Sequence, residues 1–440
     1  MNFSPIGRWL ILLAGLLPAY SQPANKVTAF VGASVLPMDS ERILSDQVVI
    51  VEGDRIASLG SRATTPVPAG ANVIEASGKF LMPGLGEMHG HNPPIGSSPA
   101  YVESIYFLFL ANGVTTVRGM LGWPGQIELR DQVKSGKILG PSLILAGPSF
   151  SGATVTSPQA AEQRVRDQKR EGWDLIKVHP GLRRDSYDAM ATVADQLGLR
   201  FAGHIPTEVG LIHAIERRQE TIDHLDGYME YLNGGDGPLD PRKLASVVQL
   251  TRETQTRVVP TMVLWETILG SADLRVMEAY PELRYMPKAE VDRWKRSYRA
   301  RQDDAKFDRA RALRLAANRK VLLKALHDGG VDILFGTDAP QQFSVPGFSV
   351  HRELRAMVEA GLPPFAALQS ATRQVGTYLK TTDRFGVVAP GQRADLVLLD
   401  ANPLDAIGNF SRQAGVMVRG RWLDATTIRE RLALLAATQQ

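Results

Sequence analysis

The most constraining feature of this 440-residue sequence is a set of metal-binding residue types at the ends of short apolar runs. Each run has the length and composition of a β-strand, and together the runs extend over more than half of the chain. The six residues are His89, His91, Lys177, His204, His224 and Asp338. Side chains at the carboxyl ends of parallel strands meet at one edge, so the pattern predicts a single polar site.

The middle of the chain, about residues 83–381, alternates predicted strands with amphipathic helices. Helices are predicted over 157–171, 186–197 and 310–329. The predicted strands end near His89, Arg118, Ala146, His179, His204, His224, Met262 and Asp338. Eight strand–helix units predict an α/β fold of the distorted (β/α)8 TIM-barrel type, with its active site at the carboxyl ends of the strands.

Both ends of the chain are rich in short strands joined by turns. Strands are predicted over 47–51 and 55–59, around the turn at Gly53, and over 394–400 near the other end. The sequence therefore predicts one small β-sandwich domain built from both termini. Its two parts are residues 22–82 and residues 382–440, and the second part ends in a C-terminal helix.

Composition narrows the chemistry of the site. The sequence has no cysteine, which excludes disulfides, thiolate metal sites and a cysteine nucleophile, so nitrogen and oxygen must hold any metal. The formal charge of +4 is small for a chain of this length, and we expect no nucleic-acid partner. The partner expected is a small-molecule substrate, and the sequence leaves open whether the chain forms a homo-oligomer.

The first 21 residues have the pattern of a secretory signal. Arg8 precedes an apolar run, and Ala19-Tyr20-Ser21 is a small-x-small cleavage site. The apolar run is too short to cross a bilayer, although a retained membrane anchor is an alternative interpretation. We expect a periplasmic or secreted protein that has no membrane association after the signal is removed.

The six residues can hold two divalent metal ions. His89 and His91 lie two apart on a strand and point to the same side, so both can bind one metal. A buried lysine has a lowered pKa, so the neutral amine of Lys177 can take up carbon dioxide and bridge two metals as N6-carboxylysine. The alternative for Lys177 is a salt bridge or a side chain that reaches solvent. His204 and His224 each supply a nitrogen to the second metal, and Asp338 binds the first.

This arrangement predicts hydrolysis without a side-chain nucleophile. Two divalent cations, zinc first but also manganese or cobalt, lower the pKa of a shared water to about 7. Asp338 is then the general base that takes the proton and the general acid that returns it to the leaving group. His179 is a candidate substrate contact, and the Tyr228 hydroxyl is a candidate donor to the developing oxyanion. The alternative for both is a packing role.

A long segment, residues 264–318, lies between the seventh and eighth predicted strands. It is rich in aromatic residues, and residues 289–320 carry more Lys and Arg than Asp and Glu. One interpretation is a solvated helical face. The other is a helical lid over the site that attracts an anionic group of the substrate.

The motifs together resemble the amidohydrolase superfamily, and within it the secreted prolidase-like and imidazolonepropionase-like enzymes. The matching pieces are Pro83-Gly84-Leu85, His89-Gly90-His91, Ile176-Lys177-Val178-His179, Gly203-His204, Asp223-His224, Gly336-Thr337-Asp338-Ala339-Pro340 and residues 386–397. The resemblance implies a distorted barrel with a β-sandwich, a binuclear zinc-type site bridged by carboxylated Lys177, and hydrolysis of amide or ester bonds. Many relatives have aspartate where this chain has Glu87, and the loop 92–98 is unusual, which leaves the substrate open.

We therefore expect a metal-dependent amidohydrolase that cleaves C–N bonds in dipeptides or N-acyl amino acids, as prolidases and carboxypeptidases do. The same fold and site acting on a lactone, a phosphotriester or a cyclic amidine is the alternative. A non-catalytic binding protein on the same fold is the remote alternative, because such proteins lose metal ligands and this chain has all six.

Overall fold

Strands from both ends of the chain form one mixed sheet in this computed structural model, which describes residues 27–380 and 383–438. The predicted signal, residues 1–21, lies outside the described residues. The strands are β1 (Val27–Val35), β2 (Leu44–Glu52), β3 (Arg55–Ser61), β4 (Asn72–Glu75), β5 (Phe80–Pro83), β13 (Leu396–Leu399), β14 (Gln413–Val418) and β15 (Arg421–Asp424). The hydrogen-bonded order is β15-β14-β13-β5-β1-β2-β3, and β4 pairs with β1.

The two ends meet where β13 pairs antiparallel with β5. Phe30, Leu81, Leu396 and Leu398 are buried in one apolar cluster on this sheet. The alternation of apolar and polar residues that predicted strands at both ends therefore lets them share a core. The predicted union of the termini is confirmed, whereas the two-layer sandwich and the domain boundaries stay predictions.

Seven strands of the middle region form two parallel sheets. They are β6 (Leu85–Gly90), β7 (Val114–Gly119), β8 (Ser142–Leu145), β9 (Leu175–Val178), β10 (Arg200–Gly203), β11 (Thr221–Asp223) and β12 (Arg257–Val259). The orders are β6-β7-β8 and β12-β11-β10-β9. The middle of the chain is thus a mixed α/β region, as predicted.

Backbone contacts join these two sheets at both edges. Ala146, just after β8, bridges to Leu175 of β9, and Val258 of β12 bridges to Ile333. The segment after Ile333 continues to β6, because the Met88 amide donates to the Phe335 carbonyl at 2.8 Å and the Asp338 amide donates to the His89 carbonyl at 2.7 Å. The strand ends that carry the predicted site residues are therefore neighbours in space.

The α-helices occupy the connections between strands and the C-terminal end. They are α1 (Pro99–Leu110), α2 (Gln126–Lys134), α3 (Pro158–Glu171), α4 (Arg184–Leu197), α5 (Leu211–Glu216), α6 (Tyr228–Tyr231), α7 (Pro241–Glu253), α8 (Met262–Leu269), α9 (Leu274–Glu278), α10 (Lys288–Gln302), α11 (Arg309–Asp328), α12 (Ser349–Glu359), α13 (Pro364–Ser370), α14 (Arg373–Leu379) and α15 (Ala425–Thr438). Two short 3-10 helices cover Pro281–Tyr285 and Ile407–Ser411. Over residues 27–380 and 383–438, no helix combines the length and hydropathy that a bilayer-spanning segment requires.

The predicted helices are confirmed to within about two residues, the ordinary uncertainty of helix ends. Ser157 caps α3 by accepting from the Ala160 amide. Two predicted strand ends differ from the structure. The eighth predicted strand, before Asp338, is only an isolated bridge at Ile333. Met262 begins α8, and β12 already ends at Val259. Pro260 has no amide to continue the ladder, and Thr261 has a left-handed backbone with φ 44°. The chain therefore leaves the sheet three residues earlier than its apolar composition indicates.

Candidate metal centre

His89, His91 and Asp338 converge at the carboxyl end of β6. His89 lies near the end of this strand and His91 just after it. The His91 Nε2 atom lies 2.6 Å from Asp338 Oδ1, and one ligand atom from each of the three residues falls within 4.8 Å of the others. Asp338 holds an unfavourable left-handed backbone, with φ 61°, which aims its carboxylate at the two imidazoles. These three side chains form a candidate metal site of the type predicted.

Lys177 reaches the same place from β9. Its side chain is 1% exposed, and its Nζ lies 3.1 Å from His89 Nε2. Burial lowers the pKa of Lys177 to about 8, although the carboxylates of Asp223 and Asp338 act in the opposite direction. Gly203 on β10 makes room, because a Cβ there would lie 3.0 Å from Lys177 Cδ. The lysine is therefore buried beside imidazoles rather than extended to solvent.

His204 and His224 complete the cluster from the ends of β10 and β11. Their ring centroids are 4.6 Å apart, and the His224 ring lies 4.3 Å from that of His89. His224 also has a left-handed backbone, with φ 63°. The His224 Nε2 atom lies 3.7 Å from Asp338 Oδ2. All six residues predicted to hold metals are thus brought to one edge of the strands.

The outer ring nitrogens of three histidines face oxygen atoms. Asp226 Oδ2 lies 2.6 Å from His204 Nδ1, and Thr261 Oγ1 lies 2.8 Å from His224 Nδ1. Asp223 Oδ2 lies 2.8 Å from His89 Nδ1, although the angle is not that of a hydrogen bond. An oxygen on one ring nitrogen orients a metal-binding imidazole and leaves the other nitrogen free to coordinate. The arrangement therefore presents Nε2 of His89 and His224 toward Asp338.

The donor set fits divalent metal ions. His224 Nε2 is buried and has no hydrogen-bond partner among the described residues, and an unpaired buried polar atom of this kind is costly without a ligand. Burial lowers the pKa of His204 to about 3 and holds those of His89 and His224 well below their usual value. The imidazoles are therefore neutral at physiological pH, the form that binds metal.

The structure brings one further predicted residue to the cluster and leaves another apart. The His179 ring lies 4.9 Å from that of His204, and burial together with Lys177 lowers the pKa of His179 to about 3. Tyr228 is fully buried, and its hydroxyl is 2.8 Å from Thr251 Oγ1. The Tyr228 hydroxyl is thus paired inside the core with a residue of α7. The structure does not place it among the metal-site residues.

Several buried charged residues around the cluster escaped prediction as site residues. Glu87 accepts from the amides of Thr337 and His89 and from the Thr337 hydroxyl, and it ties β6 to the segment that carries Asp338. Arg319 donates to the His224 carbonyl at 2.6 Å. Arg118, Asp223 and Asp226 also surround the ligands. A charged residue inside an apolar run, such as Arg118 in Val114–Gly119, is the signal that could have indicated them.

A cavity of about 430 Å³ lies within the segment that was predicted as a lid, and none of the six candidate ligands forms part of its wall. Its walls are Trp265, Ile268, Leu269, Arg301, Asp304, Lys306, Phe307, Asp308, Arg311, Ala312 and Leu315. The Trp265 ring also lies 5.8 Å from the His224 ring. Trp265 therefore lines the cavity and lies beside one metal-site histidine, His224.

Comparison with known proteins gives a consistent family. The model of the amidohydrolase family matches residues 80–423. A structure of a Xaa-Pro dipeptidase with bound methionine in the active site is 22% identical, with a TM-score of 0.68 over 91% of this chain and 100% of that one. A putative prolidase from Bifidobacterium longum is 23% identical, with a TM-score of 0.70 over 94% of this chain and 100% of that one. At these identities the two structures support the fold alone.

Two curated relatives are named as adenine deaminases. An adenine deaminase from Mesorhizobium japonicum is 22% identical over 82% of this chain and 51% of its own length. Adenine deaminase 3 from Rhizobium meliloti is 23% identical over 86% of this chain and 56% of its own length. The chain spans about half the length of these relatives.

Proposed function

The chain belongs to the amidohydrolase family, and from this premise we propose that it is a hydrolase of carbon–nitrogen bonds that cleaves the amide bond of dipeptides or N-acyl amino acids at a two-metal site. The observation that carries the proposal is the convergence of Lys177 with four histidines and Asp338 at one edge of the strands. A lysine buried among neutral imidazoles is expensive as an ammonium ion. It becomes a suitable ligand once its amine is carboxylated.

In this proposal the residues would hold two divalent cations, zinc by preference. His89 and His91 would bind one, His204 and His224 the other, and N6-carboxylysine at Lys177 would bridge them, with Asp338 on the first. When bound, such cations make a water molecule acidic enough to attack a carbonyl near neutral pH. The side chains described above supply the nitrogen and oxygen donors that zinc requires.

Asp338 performs the proton transfers of the proposed reaction. Its carboxylate takes a proton from the attacking water as the new C–O bond forms, and it gives that proton to the leaving nitrogen as the C–N bond breaks. Its position beside His91 Nε2, at 2.6 Å, keeps the carboxylate at the centre of the cluster. His179 lies next to His204, and we propose that its neutral ring contacts the substrate. The proposal needs no role for Tyr228.

We propose further that the middle strands close into a (β/α)8 barrel. The support is the backbone pairing that runs from β6 through β12 to Ile333 and returns to β6 at Met88. Barrel enzymes place their active sites at the carboxyl ends of the strands. Five of the six candidate ligands lie at or near such ends, and Asp338 lies beside them in the segment after the bridge at Ile333.

The cavity beside Trp265 supports a substrate with an apolar part and an anionic group. Aromatic and aliphatic side chains form much of its wall, and the three cations Arg301, Lys306 and Arg311 outnumber the carboxylates of Asp304 and Asp308 there. Asp308 in the same wall already caps α11 by accepting from the Arg311 amide. N-acyl amino acids and dipeptides have this combination of apolar groups and a carboxylate.

A second candidate is release of ammonia from a cyclic amidine. The similarity to adenine deaminases over 82% of the chain favours it. It would use the same ligands and the same proton transfers at Asp338, with an exocyclic amino group leaving in place of an amine.

A substrate panel separates the two candidates. The zinc-loaded protein should release free amino acids from dipeptides or N-acyl amino acids, and amine derivatisation measures this release. Adenine and related bases are assayed in parallel for ammonia. The role of the cationic cavity is tested by comparing substrates that end in a carboxylate with matched substrates that end in a neutral amide. Ammonia release from adenine without any peptide or acyl cleavage would replace the first candidate by the second.

We also propose that the protein acts outside the cytoplasm on a small-molecule substrate, without nucleic acid or a membrane as a partner. The support is the signal-like composition of residues 1–21 and the small net charge of +4. N-terminal sequencing of the protein exported by a bacterial host should begin near Gln22. A product that still begins at Met1 would count against export by cleavage.

A further inference from the structure

Arg118 is a fully buried cation directly behind the candidate metal centre. It lies on β7 and is 0% exposed. An arginine in such a place needs several acceptors, because its desolvation costs more than a single ion pair returns. The acceptors that it finds come from three different elements, and two of them lead to the metal-site residue His89.

The first route to His89 is through the backbone. Arg118 Nε donates to the carbonyl of Met88 at 2.6 Å. Met88 precedes His89 on β6, so this hydrogen bond fixes the peptide plane from which the His89 side chain departs. Arg118 Nη1 donates to the Tyr378 hydroxyl at 2.9 Å, which holds the guanidinium in plane from the other side.

The second route is through Asp223. Arg118 Nη2 lies 3.3 Å from Asp223 Oδ1, and the Thr221 hydroxyl donates to the same oxygen at 2.7 Å. Asp223 Oδ2 lies 2.8 Å from His89 Nδ1. Arg118 and Thr221 thus donate to Oδ1, and Oδ2 faces the imidazole while Arg118 Nη2 lies 3.5 Å from it. A carboxylate behind a metal-binding histidine fixes the ring orientation and strengthens the nitrogen that coordinates.

We propose that Arg118 is a positioning residue for metal binding, which acts through Asp223 and the Met88 carbonyl on His89. The inference rests on the proposed two-metal site and adds to it a residue that touches neither metal nor substrate. Removal of the cation leaves Asp223 with one donor fewer and frees the Met88 peptide. The His89 ring then loses its fixed orientation, and its Nε2 becomes a weaker ligand. The metal at His89 and His91 would therefore be bound more weakly.

Arg393 offers a matched control. It is also buried and also donates from all three nitrogens, to Asp395, Asp383 and the Thr116 hydroxyl. Asp395 is held by backbone and arginine donors and contacts no histidine in the described residues. Arg393→Met therefore removes a comparable network without reaching the metal centre.

The test compares zinc binding by the full chain and three variants, Arg118→Met, Arg118→Lys and Arg393→Met. Zinc affinity is measured by competition with a chromophoric chelator, and the visible spectrum of the cobalt-loaded protein is recorded alongside thermal unfolding. We expect Arg118→Met to weaken zinc binding by about 10- to 100-fold and to shift the cobalt bands. Arg118→Lys keeps the charge and should recover part of the affinity, and Arg393→Met should lose thermal stability without changing either readout.

Asp223→Asn keeps the proposal testable if Arg118→Met does not fold. It removes the carboxylate charge with little change in volume, and it should weaken zinc binding in the same range. Zinc affinities and cobalt spectra equal to wild type in both Asp223→Asn and the folded Arg118 variants would overturn the proposal. A wild-type protein that binds zinc but cleaves no amide would overturn the proposed function and leave this inference standing.

Discussion

Two buried arginine–carboxylate networks in this protein use the same chemistry and end differently. Beside the terminal sheet, Arg393 and Asp395 satisfy each other and nearby backbone and hydroxyl groups. Behind the metal centre, the network of Arg118 and Asp223 ends on an imidazole, and close by the buried nitrogen of His224 has no partner. A network that ends on an imidazole beside an unpaired buried nitrogen indicates a ligand, whereas a network that closes on itself indicates a structural role.

The largest effect should follow from Lys177→Ala. If the metal end of the strands depends on carboxylated lysine, loss of the bridge should lower kcat by about a thousandfold or more, because the metals no longer activate water. Activity is measured with the best substrate of the panel, and short carboxylates such as formate should restore part of it.

Lys320→Ala is the control for this comparison. Lys320 is about one-third exposed and pairs with Glu359 at 3.5 Å on the helical side, so its loss should leave kcat unchanged. Full activity of Lys177→Ala without added carboxylate would contradict the comparison, because the candidate metal centre would then have no functional role that the terminal sheet lacks.

Leu398→Ala tests the other side of the comparison. Leu398 is 1% exposed in the core of the terminal sheet, and its truncation should lower the free energy of unfolding by about 2–5 kcal/mol through lost burial and a cavity. Urea unfolding measures the loss, and zinc affinity of the folded protein should stay at the wild-type value. Val73→Ala, on the exposed face of the same sheet, should cost far less. Weaker zinc binding in Leu398→Ala would show that the two regions are coupled.

A smaller effect should appear in the pH dependence of stability at Glu353. Burial raises the pKa of Glu353 to about 7, although the amides of Met262 and Val263 donate to its carboxylate. The folded state therefore binds this proton more tightly than the unfolded chain does. Stability from this group is present below pH about 4.5 and is lost as the pH rises toward about 7.

Glu353→Gln should remove this part of the pH dependence. We expect the variant to lose on the order of 1–3 kcal/mol less than wild type between pH 4.5 and 7, measured by urea unfolding. Glu359→Gln, an exposed position on the same helix, serves as the control and should follow the wild-type curve. Parallel curves for all three proteins would mean that burial does not raise the pKa of Glu353 in solution.

The sequence predicted the candidate site better than its surroundings. The six candidate ligands indicated a single cluster because the apolar run before each of them could be recognised from its own residues. The departures have local and distant causes. Met262 belongs to a helix because its neighbours Pro260 and Thr261 end β12 early. The partner of the Tyr228 hydroxyl, Thr251, lies on another helix, which no local pattern indicates. Arg118 and Glu87 were visible as charges in apolar runs, but Asp223, which accepts from Arg118, and Thr337, which donates to Glu87, lie more than 100 residues away from them.

By itself, the sequence determined the alternation of strands and helices, the absence of thiol chemistry and the residue types that can bind metal. These follow from local periodicity and composition, which each segment carries with it. Only the tertiary structure decided that Lys177 is buried against His89, that the imidazoles are oriented by acids from neighbouring strands, and that β5 and β13 join the two ends of the chain. The physical reason is that burial, pKa and hydrogen-bond partners depend on which strands lie side by side, and no single segment contains that information.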